Sequence, residues 1–83
     1  MIKITHIEVL EGFRLKLTFS DETSGIWDAT SLIARDGSMV RPLRDPEYFA
    51  RVFLEAGAPT WPNGFDLAPW GLHKQLIAEQ LSA

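Results

Sequence analysis

Residues 13–20, FRLKLTFS, alternate without a break: Phe13, Leu15, Leu17 and Phe19 share one parity, and Arg14, Lys16, Thr18 and Ser20 share the other. A period of two marks a strand with one dry face and one wet face. The preceding KITHIEVL places Ile2 and Ile4 on even positions but Ile7 and Val9 on odd ones. One buried face can hold all four only if a bulge inserts a residue near Thr5 or His6. Glu11-Gly12 is short enough for a tight hairpin, and SDETS at 20–24 is rich in side chains that hydrogen-bond their own backbone. The third strand, SGIWD, completes an antiparallel meander with Trp27 directed into the core.

Beyond Asp28 the chain changes character. The Asp28 carboxylate is placed to cap a short helical turn through Ala29 to Ala34, which Asp36-Gly37 then breaks. RDPEYF announces a helix, with Asp45 as N-cap, Pro46 at the first position and Glu47 in the first turn. At 100° per residue Tyr48, Phe49, Ala50, Val52 and Phe53 would share its core-facing side. FLEAGAPTW reads as a small hairpin ended by Pro62. Asn63-Gly64 turns the chain, and a last helix is expected from Pro69 to about Gln80, with Gly71 its one poor helix former. Asp66 is read as a structural acid that supports this turn or the helix start. The fold class is α+β: an N-terminal three-stranded antiparallel meander, a short helical turn, a helix, a small hairpin or edge strands, and a C-terminal helix, in a single domain over 1–83.

Eighty-three residues bury only about 60% of their unfolded surface and support one core. No cysteine is present, so disulfides, thiolate metal sites and cysteine nucleophiles are excluded. The amino terminus lacks the pattern of a signal peptide, and no apolar run reaches the roughly 18 residues of a membrane span. A cytoplasmic protein is expected. The net charge of −3, from 8 basic and 11 acidic side chains, disfavours nucleic acid as a partner. Arg35, Arg41, Arg44 and Arg51 do cluster, but Asp36, Asp45 and Glu47 lie among them and cancel most of their field.

None of the sequence motifs that carry phosphate binding, dinucleotide binding, serine hydrolysis or zinc proteolysis occurs. His6 and His73 lack companions for a metal shell. Asp21 with Glu22 and Glu8 with Glu11 read as solvated acids. No catalytic, cofactor-binding or metal-binding residue is therefore assigned, and no cofactor or small-molecule ligand is expected. The unusual feature is three tryptophans in so short a chain. Trp is favoured both in small cores and at interaction hot spots, and for Trp61 and Trp70 both readings stand open. Trp70, Leu72, His73, Leu76, Ile77, Gln80 and Leu81 cover about half of the last helix, wider than the roughly 100° stripe that a single contact requires.

LTFSDETSGIWDATSLI, PLRDPEYFARVFLE and TWPNGFDLAPWGLH, in that order, resemble the short bacterial proteins grouped as domain of unknown function family 2442. The likeness runs along essentially the whole chain. Its most specific part is W-P-N-G-x-D-L-x-P-x-x-L, matched by Trp61, Pro62, Asn63, Gly64, Asp66, Leu67, Pro69 and Leu72. The resemblance implies a small α+β fold without established activity, often encoded beside a second small protein in a toxin and antitoxin-like arrangement. The polar cap and the acid usual on either side of Pro69 are replaced by Ala68 and Trp70, and the aromatic usual after Leu72 by His73, which enlarges the apolar surface there. Some longer relatives are thought to append a helix-turn-helix, a module not expected in a chain ending at Ala83.

These observations converge on a non-enzymatic interaction domain that forms a homodimer or binds a small partner protein. Its expected surface comprises Phe65, Trp70, His73, Ile77 and Leu81. The rivals are a nucleic-acid-binding or regulatory role for Arg35 to Arg51 and an enzyme with an unrecognised site around Asn63, Asp66 and His73.

Overall fold

The alternation in FRLKLTFS becomes the central strand of a sheet. In the computed structural model, which describes residues 1–82 with side chains through residue 79, β1 (Ile4–Leu10), β2 (Arg14–Phe19) and β3 (Ser24–Asp28) form an antiparallel sheet in the order β1-β2-β3. Leu15, Leu17 and Phe19 are buried on one face, while Arg14 and Lys16 stay exposed on the other. The wet face carries opposite charges in register, Glu8 against Lys16 and Arg14 against Asp28. The expected bulge is present: Ile4 pairs with Phe19 and His6 with Thr18, which leaves Thr5 unmatched. Its hydroxyl donates to the Thr18 carbonyl at 3.2 Å. The extra residue lets even-numbered Ile4 and odd-numbered Ile7 both turn toward the core.

The sheet's dry face is covered by irregular chain and three helical segments: α1 (Thr30–Ile33), α2 (Pro46–Phe49) and α3 (Pro69–Ser82), with a 3-10 turn at Arg41–Arg44 before α2. Asp28 behaves as its position predicts, Oδ1 accepting both the amide and the hydroxyl of Thr30. Arg44 closes the other end of α1, with Nε donating to the Ile33 carbonyl at 2.7 Å and Nη2 to the Arg35 carbonyl at 2.9 Å. Asp45 caps α2 by accepting the Glu47 amide at 3.1 Å.

The expected long helix after Asp45 is corrected to a single turn. It stops at Phe49, Ala50 is exposed, and Phe53 joins β4 (Phe53–Glu55), which pairs with β5 (Ala58–Thr60). Phe53 is 45% exposed instead of facing the core. The cause is the turn at Ala56-Gly57, where both residues adopt the left-handed conformation that tight hairpins favour. That turn gives residues 53–55 strand partners, and pairing overrides a weak helical preference in a segment containing Val52 and Phe53.

The hairpin is stitched to the main sheet through Ile4, whose amide donates to the Gly57 carbonyl at 2.9 Å. A Cβ at Gly57, where φ is +80°, would lie 2.7 Å from Cβ of Lys3. Gly64 also has positive φ, +90°, but nothing lies within 4 Å of its Cβ position. Gly57→Ala is therefore expected to lower stability by more than the roughly 1–2 kcal/mol of left-handed strain alone, and Gly64→Ala by about that strain. Urea denaturation of the two variants, compared with wild type, measures the difference.

Candidate interaction surface

The tryptophans of the 61–70 segment separate completely. Trp61 is fully buried, its ring lying between Phe49 and Phe65 at 5.8 Å from each. Its indole N–H donates to the Phe49 carbonyl at 3.0 Å, satisfying both the buried donor and an acceptor at the end of α2. Trp61 thus belongs to the core. Trp70, in the first turn of α3, is 66% exposed. On α3, Trp70, His73 and Ile77 fall along one flank at i, i+3 and i+7, next to the buried Leu72 and Leu76.

The rest of the matched motif is backbone construction. Trp61 N–H donates to the Phe65 carbonyl, Gly64 N–H to the Trp61 carbonyl, and Leu67 N–H to the Pro59 carbonyl. Asn63 ties this loop down three ways: its amide donates to the Tyr48 hydroxyl at 2.9 Å, Nδ2 donates to the Met39 carbonyl, and Oδ1 accepts from Phe65 N–H. Asp66 does not fill the expected supporting role. Its side chain is exposed and makes no hydrogen bond or ion pair among the described residues, while its backbone bridges to Thr60. Asn63 Oδ1, two residues before the Phe65 amide, already closes the turn. Pro62 is exposed, Leu67 and Pro69 are half-buried, and Leu72 is buried.

Phe65 is half-buried against Trp61 and belongs with the core aromatics instead of the α3 flank. His73 is half-buried, its ring edge-on to Phe19 at 4.9 Å, with Nε2 2.8 Å from Asp21 Oδ2. This pair fastens the β2–β3 turn to α3 and was not legible in the sequence, since 52 residues separate its members. The Leu81 side chain lies outside the described residues. Asn63, Asp66 and His73 do not converge: the Asn63 amide is engaged with Met39 and His73 with Asp21. Among the described residues no group of three or more His, Cys, Asp or Glu side chains could hold a metal ion.

The arginines are largely engaged within the chain. Arg41 pairs with Asp36 at 3.0 Å, Arg44 holds the Ile33 and Arg35 carbonyls, and the Arg51 guanidinium lies 5.9 Å from the centre of the Tyr48 ring. Arg35 alone of the four has no side-chain partner among the described residues. It lines a cleft of about 340 Å³ between β3, α1 and the start of α3. No helix among the described residues is long and apolar enough to cross a membrane.

With this geometry the chain belongs to the DUF2442 family, described as proteins of unknown function, whose family model matches residues 4–78. A crystal structure from Nitrosomonas europaea, described as "Putative DNA Binding Protein NE0471", is similar with a TM-score of 0.74 and 25% sequence identity. The match covers 99% of this chain and 52% of that one, so the present chain spans about half the length of its structural neighbour. Curated proteins gave no match.

The Asp21 carboxyl is lowered from 3.8 to about 2, first by the Thr23 hydroxyl, then by the Thr23 amide and His73. A carboxyl depressed on folding adds stability above its unfolded pKa and loses that contribution as pH falls through the folded value. Denaturation profiles of wild type and Asp21→Asn should therefore converge as pH is lowered from about 5 toward 2, because only the wild type loses this contribution.

Proposed function

We propose that this chain is a non-enzymatic interaction domain, paired with a second copy of itself or with a small partner protein. The observation that carries the reading is Trp70, a large aromatic left two-thirds exposed at a helix start whose neighbours Leu72 and Leu76 are buried. Exposed tryptophan on a rigid element is the usual material of an interface anchor, because it brings large apolar area with few rotatable bonds. His73 and Ile77 extend the surface along α3. The match to half of a longer protein supports the same reading, since a fold joined to further chain is commonly one module among others. A small partner agrees with the toxin and antitoxin-like arrangement that the family resemblance implies, and the cytoplasm is the proposed compartment.

The neighbour's description raises DNA binding as a second reading. The engagement of Arg41, Arg44 and Arg51 within the chain and the net charge of −3 weigh against it for these residues. Duplex DNA titrated at low and moderate salt should show no salt-dependent binding.

Sedimentation equilibrium of the pure protein, with pull-down from the native cell, tests the leading reading. Trp70→Ala should weaken the association by roughly thirtyfold while leaving the folded spectrum unchanged. A wild type that stays monomeric and captures nothing that Trp70→Ala fails to capture would overturn it.

A further inference from the structure

The cleft between α1 and α3 has a feature that packing does not require. Gly71 is the third residue of α3, in its first turn, where glycine still lacks the helix preference of alanine. Neither usual reason for a glycine applies. Its φ is not left-handed, and an added Cβ would meet nothing closer than the Ala68 Cβ at 4.0 Å. What the missing side chain does is keep open the cleft that Gly71 lines.

The walls divide by chemistry. Trp27, Leu32, Leu67 and Leu72 supply apolar surface. Trp27 is only 6% exposed, yet its indole N–H has no acceptor among the described residues and is not sealed from solvent. Arg35, Ser31 and Gln75 add further donors. Arg35 is presented from a fixed base, its own amide donating to the Leu32 carbonyl at 3.0 Å and its carbonyl accepting from Arg44. The one acid, Asp28, already accepts twice from Thr30, and its carboxyl is held below the usual range first by the Thr30 hydroxyl, then by the Thr30 amide and Arg14. It stays anionic and opposes a second negative charge on any occupant.

We propose that this cleft binds a free small monocarboxylic acid with a compact aromatic or branched apolar body, the carboxylate on Arg35 and the body over Trp27. A volume of about 340 Å³ suits such a molecule. Arg35 and the donors provide the complementary charge, and Asp28 limits the ligand to one acid group. The site is separate from the Trp70 flank of α3: Gly71 and Gln75 lie on the groove side of the helix, and Trp70 is absent from its walls.

Phenylacetate is the probe, followed by the Trp27 indole and Gly71 amide resonances in two-dimensional NMR of the whole chain. Both should shift saturably, with a dissociation constant on the order of 1 mM. Phenylacetamide, which lacks the charge, should bind roughly tenfold more weakly. Arg35→Gln should weaken phenylacetate by a similar factor and remove the preference over the amide. Gly71→Leu should block binding. Gly71→Ala, which fits the open space, should fold at least as stably as wild type and bind more weakly, so it carries the test if the leucine variant does not fold. Trp70→Ala should bind as wild type does, which separates this site from the protein-interaction surface. Absence of a saturable shift up to about 10 mM, an Arg35→Gln variant with unchanged affinity, or tighter binding of the peptide Gly-Gly-Phe than of phenylacetate would each overturn the assignment.

Discussion

A single buried ring organises the half of the molecule that does not belong to the sheet. Trp61 lies at the point where three short segments meet, and each is too small to stand alone. Its indole N–H closes the end of α2 through the Phe49 carbonyl, and its faces contact Phe49 and Phe65. Phe49 in turn meets Phe13 edge-on at 5.4 Å, which carries the aromatic chain back to the start of β2. A four-residue helix and a hairpin of two three-residue strands have almost no intrinsic stability. They hold their shape because a common side chain fills the space between them. Removing so large a buried ring typically costs about 3–5 kcal/mol, a large part of what a domain of this size has available.

The same construction sets the position of α3. Asn63 anchors the turn to Tyr48 and Met39, Leu67 N–H donates to the Pro59 carbonyl across the loop, and the helix begins two residues after Leu67, at Pro69. Trp70 is thus held outward by a scaffold whose own tryptophan is held inward. Neighbouring aromatics in one short motif have opposite fates because the first sits in a loop closed on both sides and the second on a helix surface facing away from the core.

Much of this architecture follows from local chemistry and is legible in the chain. The parity of Phe13 to Phe19, the parity switch that demands a bulge at Thr5, the caps at Asp28 and Asp45 and the proline at the start of α3 depend on neighbours within a few residues. What escapes a linear reading depends on partners far away. Val52 and Phe53 continue a plausible helix until the Ala56-Gly57 turn offers residues 53–55 a strand. His73 fits an apolar stripe until Asp21, distant in the chain, meets its ring. Asp66 and Asn63 both could support the turn, and only the folded loop shows that Asn63 does so. Gly71 stands in the sequence as a poor helix former, a signal whose meaning emerges only when the space beside it is visible. Membership of the DUF2442 family adds the overall arrangement but no chemistry, so the residues themselves must supply any functional argument.

The three tryptophans sit at three depths: Trp61 with no exposed surface, Trp27 with 6% and Trp70 with 66%. They make the chain a natural spectroscopic ruler. A soluble quencher reaches Trp70 first, Trp27 only at the small part of it left exposed, and Trp61 only when the aromatic cluster around it separates. Emission resolved by quencher access would then distinguish shielding of α3, filling of the cleft and opening of the core in one unlabelled sample.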